Sequence, residues 1–225
     1  MSAPLSIQRL KRQEERPVAG AAILSEAFPA TAADAGAVGF VLAKLRRRDR
    51  PILWVQDRLS RREAGMLYLP GMGAKRTLLQ VDVSRAADAL WSMEEGLRCK
   101  GLSAVVAEIW GDPPALSFTA TKRLALRAEA AGIPCWLIRR AASPDLSAAR
   151  DRWRIASLPS APAPHDRQAP GDPRWRVELF RSRAHRPGTW VATYERAKDH
   201  LHLAAPFRDG AVAEATGPDR QRAAG

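Results

Sequence analysis

The chain has 225 residues, enough for one α/β domain with a buried core, with or without appendages. Its 46% hydrophobic content excludes a largely unfolded chain, and no apolar stretch approaches the roughly 20 residues a membrane helix needs. The formal net charge is +12, with 23 basic against 15 acidic residues in 1–150 and 13 against 9 in 151–225, so the excess runs along the whole chain. Arginine supplies most of it, and its fork of donors favours phosphate or carboxylate partners, nucleic acid first among them. The two cysteines, Cys99 and Cys135, imply no disulfide framework, and the charged N-terminus has no apolar signal segment. Both features point to the cytoplasm, with no membrane partner.

In chain order, residues 1–18 read as a basic arm, with a short helix over 5–16 whose few apolar contacts are Leu5, Ile7 and Leu10. The stretch "AAILSEAF" (21–28) reads as a short strand. Asp34 suits the N-cap of a helix "AGAVGFVLAKLRRR", whose last turn sets Arg46, Arg47 and Arg48 against the negative end of the helix dipole. "PILWVQ" (51–56) and "TLLQVDV" (77–83) read as buried parallel strands. Ser84 is the predicted cap of the helix "RAADALWSMEEGLRC", with Ala87, Leu90, Trp91 and Leu97 as its apolar stripe. Glu94 lies near that stripe, where a pair with Arg98 is the plainer reading and a buried or partner-facing contact the sharper one. "LSAVVAEI" (102–109) is a third strand, 119–131 a helix ended by Gly132, and "IPCWLIR" (133–139) a fourth strand. Strand and helix alternate four times with short joints, which predicts an α/β fold with a mainly parallel, doubly wound sheet and a core over 19–158.

The pattern then changes. "DRWRIASL" (151–158) is a shorter strand, and the Pro-rich stretch 159–173 reads as a linker or exposed loop. "RWRVELFRSR" and "GTWVATYE" form a C-terminal β-hairpin that completes the domain over 174–205, with Trp175, Val177 and Leu179 alternating against Arg176 and Glu178. Trp175 and Trp190 read as core-facing aromatics or, if one face stays open, as an interface patch. Residues 206–225 read as a disordered tail.

The apolar run "SAVVAEIWGD" ends in one carboxylate, Glu108, as buried strands do where an acid holds magnesium beside phosphates. Asp57 follows an earlier strand at the same carboxyl edge, where α/β sheets place ligands, and reads equally as a loop or cap residue. The other half of such a site is missing. The first strand-to-helix turn, "SEAFPATAADAGAVGF", has no Gly-x-x-x-x-Gly-Lys, no lysine before Lys44, and an aspartate, Asp34, where a phosphate would meet the helix. Catalytic chemistry, a cofactor and a metal are therefore not expected. His200 and His202 alternate on one strand without further ligands, and read as a solvent-facing pair. Arg139, Arg140, Arg150 and Arg152 gather at the carboxyl end of a strand, and Arg181, Arg183 and Arg186 border a hairpin loop. These seven are candidates for DNA or partner contact; solvated edges or carboxylate pairing is the plainer alternative.

A strand ending at Asp57, a helix, the "VVAE" strand, a helix and then "CWLIRR" resemble the core of RecA-type recombinases. More closely, "ALWSMEEGLRC", "AVVAEI", "TKRLALRAEAAGIPCWLIRR", "RWRIAS" and "PRWRVELFRSRAHRPGTWV" are similar to the ImuA family, at times called SulA-like, over about residues 19–204. That resemblance implies a RecA-like accessory protein of the damage-induced mutagenic system. Such a protein works with ImuB, a polymerase-like protein without catalysis, and with an error-prone replicative-type DNA polymerase; contact with RecA or DNA would follow from the shared fold. It also implies that Glu108 stands at the magnesium-side acid, Asp57 near the water-activating carboxylate, and Arg181 and Arg183 at a basic pair that reaches a neighbouring subunit. The expectation is thus a non-catalytic adaptor. The alternatives are a degenerate DNA-dependent ATPase and, from the SulA-like label alone, a division inhibitor.

Overall fold

A computed structural model describes residues 21–45, 49–68, 77–163, 166 and 168–205. Its elements are β1 (Leu24–Pro29), α1 (Gly36–Lys44), β2 (Ile52–Asp57), α2 (Arg58–Ala64), β3 (Leu78–Val83), α3 (Ala86–Gly96), β4 (Ala104–Trp110), α4 (Phe118–Ala131), β5 (Cys135–Arg140), β6 (Asp151–Leu158), β7 (Arg174–Ser182), β8 (Gly188–Glu195) and β9 (His200–Ala204). The strands form one sheet in the order β3-β2-β4-β5-β1-β6-β7-β8-β9. From β3 to β6 every pairing is parallel, and from β6 to β9 every pairing is antiparallel. This is the mainly parallel α/β sheet with C-terminal antiparallel strands that the alternation of elements predicts.

Alternation along the strands sorts the core into two layers. Leu24, Val55, Val105, Ala107 and Leu137 pack under α3 and α4, with Leu90, Met93, Leu124 and Ala128. Trp54, Val106, Ile138, Trp153, Trp175 and Val177 face the other way, onto Phe40 and Val41 of α1. Phe40 is the centre of an aromatic cluster: its ring lies 5.2 Å from Trp153, 6.3 Å from Trp175 and 6.4 Å from Trp136. The Trp175 ring lies so close to α1 that a Cβ on Gly39 would meet Cζ2 at 2.7 Å, which fixes glycine there. Trp175 is thus a core residue that ties the antiparallel wing to the parallel half.

Several local expectations are corrected. The β3 strand is the sheet edge, with Leu79 half exposed, because only β2 pairs with it. The α3 stripe is rotated: Ala89, Leu90, Met93 and Leu97 are buried, whereas Ala87 and Trp91 face outward. Met93, three residues after Leu90 and four after Ala89, completes the buried stripe in place of Trp91. The N-cap of α3 is Arg85 and not Ser84, and that of α1 is Ala35. Asp34 stands one residue earlier and still takes the Gly36 N–H at 2.7 Å. Helix α2 has no counterpart in the sequence reading. Helix α4 ends as expected, at Gly132 with φ 68°.

The stretch 159–173 joins antiparallel neighbours β6 and β7, with a bridge between Pro162 and Pro170. The N-terminal arm, Arg46 to Arg48 and the tail from residue 206 lie outside the described residues.

Candidate functional site

Three of the acids singled out above, Asp34, Asp57 and Glu108, lie at the carboxyl edge of the parallel strands, and each is already bound from within the fold. In β4, Glu108 is 1% exposed and points to the α1 side. Its Oε1 accepts the Trp54 indole N–H at 2.9 Å and a Gln56 amide N–H at 3.2 Å, and its Oε2 accepts Arg140 Nε at 2.6 Å. Burial pushes the Glu108 carboxyl above its ordinary range, while Arg140 and the Trp54 N–H pull it back. The rest of the Arg140 guanidinium enters the turn between β1 and α1, where Nη1 donates to the carbonyls of Ala32 at 2.8 Å and Asp34 at 3.3 Å.

That turn is the place where a phosphate loop joins the first strand to the first helix. Here two carbonyls point inward to a guanidinium, the reverse of the N–H lining that holds a phosphate. The Asp34 side chain closes the helix end. It accepts from Gly36 N at 2.7 Å, from Ser157 Oγ at 2.6 Å and from Ser157 N at 3.0 Å. Partial burial raises its pKa, but these bonds and Arg140 outweigh burial and hold it below the usual carboxylate range. Asp57, at the end of β2, caps α2 through Ser60 N at 2.7 Å and takes Trp110 N at 2.9 Å. Both its oxygens are occupied by backbone, so it acts as a clamp between β2 and β4.

A second acid–arginine cluster sits on the opposite face. Glu26 in β1 is fully buried; its Oε2 accepts Arg152 Nε at 2.6 Å and its Oε1 accepts Ser147 Oγ at 2.8 Å. Arg139 lies 3.6 Å from the same carboxylate and donates to Asp112 at 2.6 Å. The Phe28 ring lies under both guanidinium groups, 5.8 Å from Arg139 and 5.3 Å from Arg152. Arg139, Arg140 and Arg152, read as candidate contacts, are therefore buried and each paired with a carboxylate inside the fold, and Arg150 pairs with Glu129 on α4. Arg181, Arg183 and Arg186 differ. They are exposed at the β7–β8 connection, and among the described residues no guanidinium of the three donates a hydrogen bond.

Glu94 does not pair with Arg98, which bonds Glu95 instead; it crosses to Arg123 at 3.0 Å and Arg127 at 3.2 Å on α4. Cys135 is buried, which pushes its thiol pKa up, and Cys99 is exposed. His202 meets Glu195 at 3.2 Å, and its ring lies 4.3 Å from His200. Among the described residues no three His, Cys, Asp or Glu side chains converge as metal ligands, and no helix is long and apolar enough to cross a membrane. Sequence reasoning missed Glu26, Gln56 and Asp112. For Glu26 the signal was present, since "AILSEAF" carries one acid in an apolar run just as "SAVVAEIW" does.

These features define an α/β protein with an antiparallel wing, whose carboxyl edge is closed by buried arginine–carboxylate pairs. No family model matches the chain. It is similar to the protein named ImuA from two strains of Caulobacter vibrioides, 39% identical over 172 residues in each, covering 72% of this chain and 66% of the relative. The match thus spans just under two thirds of the relatives' length. The chain belongs to the ImuA family.

Proposed function

We propose that this protein is a non-catalytic, RecA-like adaptor of the DNA-damage response. In this role it supports error-prone translesion synthesis by binding an ImuB-type polymerase-like protein, and through it an error-prone replicative-type polymerase, in the cytoplasm. One observation carries the non-catalytic part: Arg140 fills the β1–α1 turn and binds the acid, Glu108, that a nucleotide site would give to magnesium. A phosphate entering that turn would meet two carbonyls and the Asp34 carboxylate, each repulsive at short range. Family membership supports the partner, and the exposed Arg181, Arg183 and Arg186 supply a surface for DNA or RecA contact.

Co-purification of the full chain with its ImuB-type partner tests the reading. A stoichiometric complex that forms without added nucleotide is expected. Failure of the two to associate, or association only with ATP present, overturns it.

A further inference from the structure

The two faces of the antiparallel wing are treated differently by the fold. Trp153, Trp175, Val177 and Leu179 cover one face against α1, whereas Arg154, Ala156, Arg176, Glu178 and Thr189 line the other, where side chains are exposed or half-buried. On that open face, a cleft of about 480 Å³ runs from the end of β1 across β6 and β7 to β8. Its lining is apolar on the β1 side, with Phe28, Pro29, Ala142 and Pro144, and charged across β6 and β7, with Arg154, Arg176 and Glu178.

We propose that this cleft docks an acidic peptide segment of a protein partner, with an apolar side chain between Pro29 and Pro144 and carboxylates on Arg176 and Arg154. The identity of the partner rests on the adaptor reading; the chemistry of the cleft does not. Arg176 is exposed and, among the described residues, no carboxylate pairs with it, while Arg139, Arg140, Arg150 and Arg152 are all paired. Arg154 bonds Glu178 at 3.1 Å, but that pair is half exposed and such pairs are worth little, so an incoming carboxylate exchanges for it at small cost. Arg154 lines the cleft, and its guanidinium lies 4.4 Å from the Phe180 centroid.

Single-stranded nucleic acid fits less well. Base stacking needs a free ring face, yet Phe28 is roofed by Arg139 and Arg152, and Phe180 by Arg152 and Arg154.

The test is selection of peptides from a random displayed library on the full chain, followed by affinity measurement on Arg176→Glu and Ala142→Trp, which reverse the charge and fill the apolar end. Circular dichroism and melting confirm that each variant is folded. Acidic peptides with one apolar anchor are expected, and each variant should weaken them by about tenfold or more. No enrichment, enrichment of non-acidic peptides, affinity that both variants leave unchanged, or competition by oligothymidylate with the same variant sensitivity overturns the proposal. The same variants in the ImuB-type co-purification separate the two readings. Partner binding that ignores both variants sinks the cleft and leaves the adaptor. Selected acidic peptides without any partner complex keep the cleft and sink the adaptor.

Discussion

Arg140 joins three parts of the chain at one point: its Nε lies 2.6 Å from Glu108 Oε2 on the neighbouring strand, and its Nη1 lies 2.8 Å from the Ala32 carbonyl in the β1–α1 turn. Both side chains are almost fully buried, at 3% and 1% exposure. A pair so placed contributes modest net stability over an apolar substitute but is costly to break, because the survivor is a charge without a partner. Glu108→Ala is therefore expected to lose about 3–5 kcal/mol in urea unfolding. The double change Glu108→Gln with Arg140→Met should cost clearly less than the sum of the two single changes, since each removes the reason for the other. Additive losses would show that the two residues are not coupled.

Glu94 gives a smaller effect with a sharper assignment. Its carboxylate is 14% exposed and bridges α3 to Arg123 and Arg127 on α4. A double-mutant cycle between Glu94 and Arg127 should return a coupling of about 0.5–1 kcal/mol. The cycle between Glu94 and Arg98 should return none, because Arg98 bonds Glu95.

Lys44 predicts a pH dependence. Buried at the end of α1 over the Trp153 ring, its ammonium has its pKa lowered by desolvation to about 8, against 10.5 when unfolded, with Asp151 opposing the shift. The folded state therefore sheds the proton first. Below pH 8 the full penalty of a buried charge is present, and it is relieved as pH rises toward 10.5. Stability should rise across that window by up to about 3 kcal/mol more in the wild type than in Lys44→Met. Parallel pH profiles for the two would contradict this burial effect.

The cysteines differ in access. Cys99 is exposed and Cys135 is fully buried with its thiol pushed up. A thiol reagent at pH 8 should label Cys99 in the native protein and reach Cys135 only on unfolding, since the thiolate is the reactive form. Equal labelling rates at both would contradict the packing of β5.

The order of elements was legible because buried parallel strands are short continuous apolar runs, and "ILWV", "AVVA" and "CWLI" are unambiguous. What failed was local amphipathic detail. Trp91 outranks Met93 in apolar area but lies on the wrong side of α3, and only the register against Leu53 and Leu102 near Gly96 decides that. The partners of charged residues were harder still. Arg140 meets Glu108 from 32 positions away, and Arg152 meets Glu26 from 126 away, distances that no helical spacing rule encodes. Arg139, Arg140 and Arg152 looked like a basic surface because the sequence shows charge without direction; strand pleating turns Arg139 and Arg140 to opposite faces, each toward its own carboxylate. The missing glycines and lysine of the β1–α1 turn were visible at once, but the guanidinium that fills the turn was not.

Calorimetric titration of the full chain with Mg·ATP tests the central claim most directly. With Arg140 seated in the turn, no saturable heat is expected, in the wild type or in Glu108→Gln. Saturable binding by the wild type that Glu108→Gln abolishes would contradict the account and return the carboxyl edge to nucleotide chemistry.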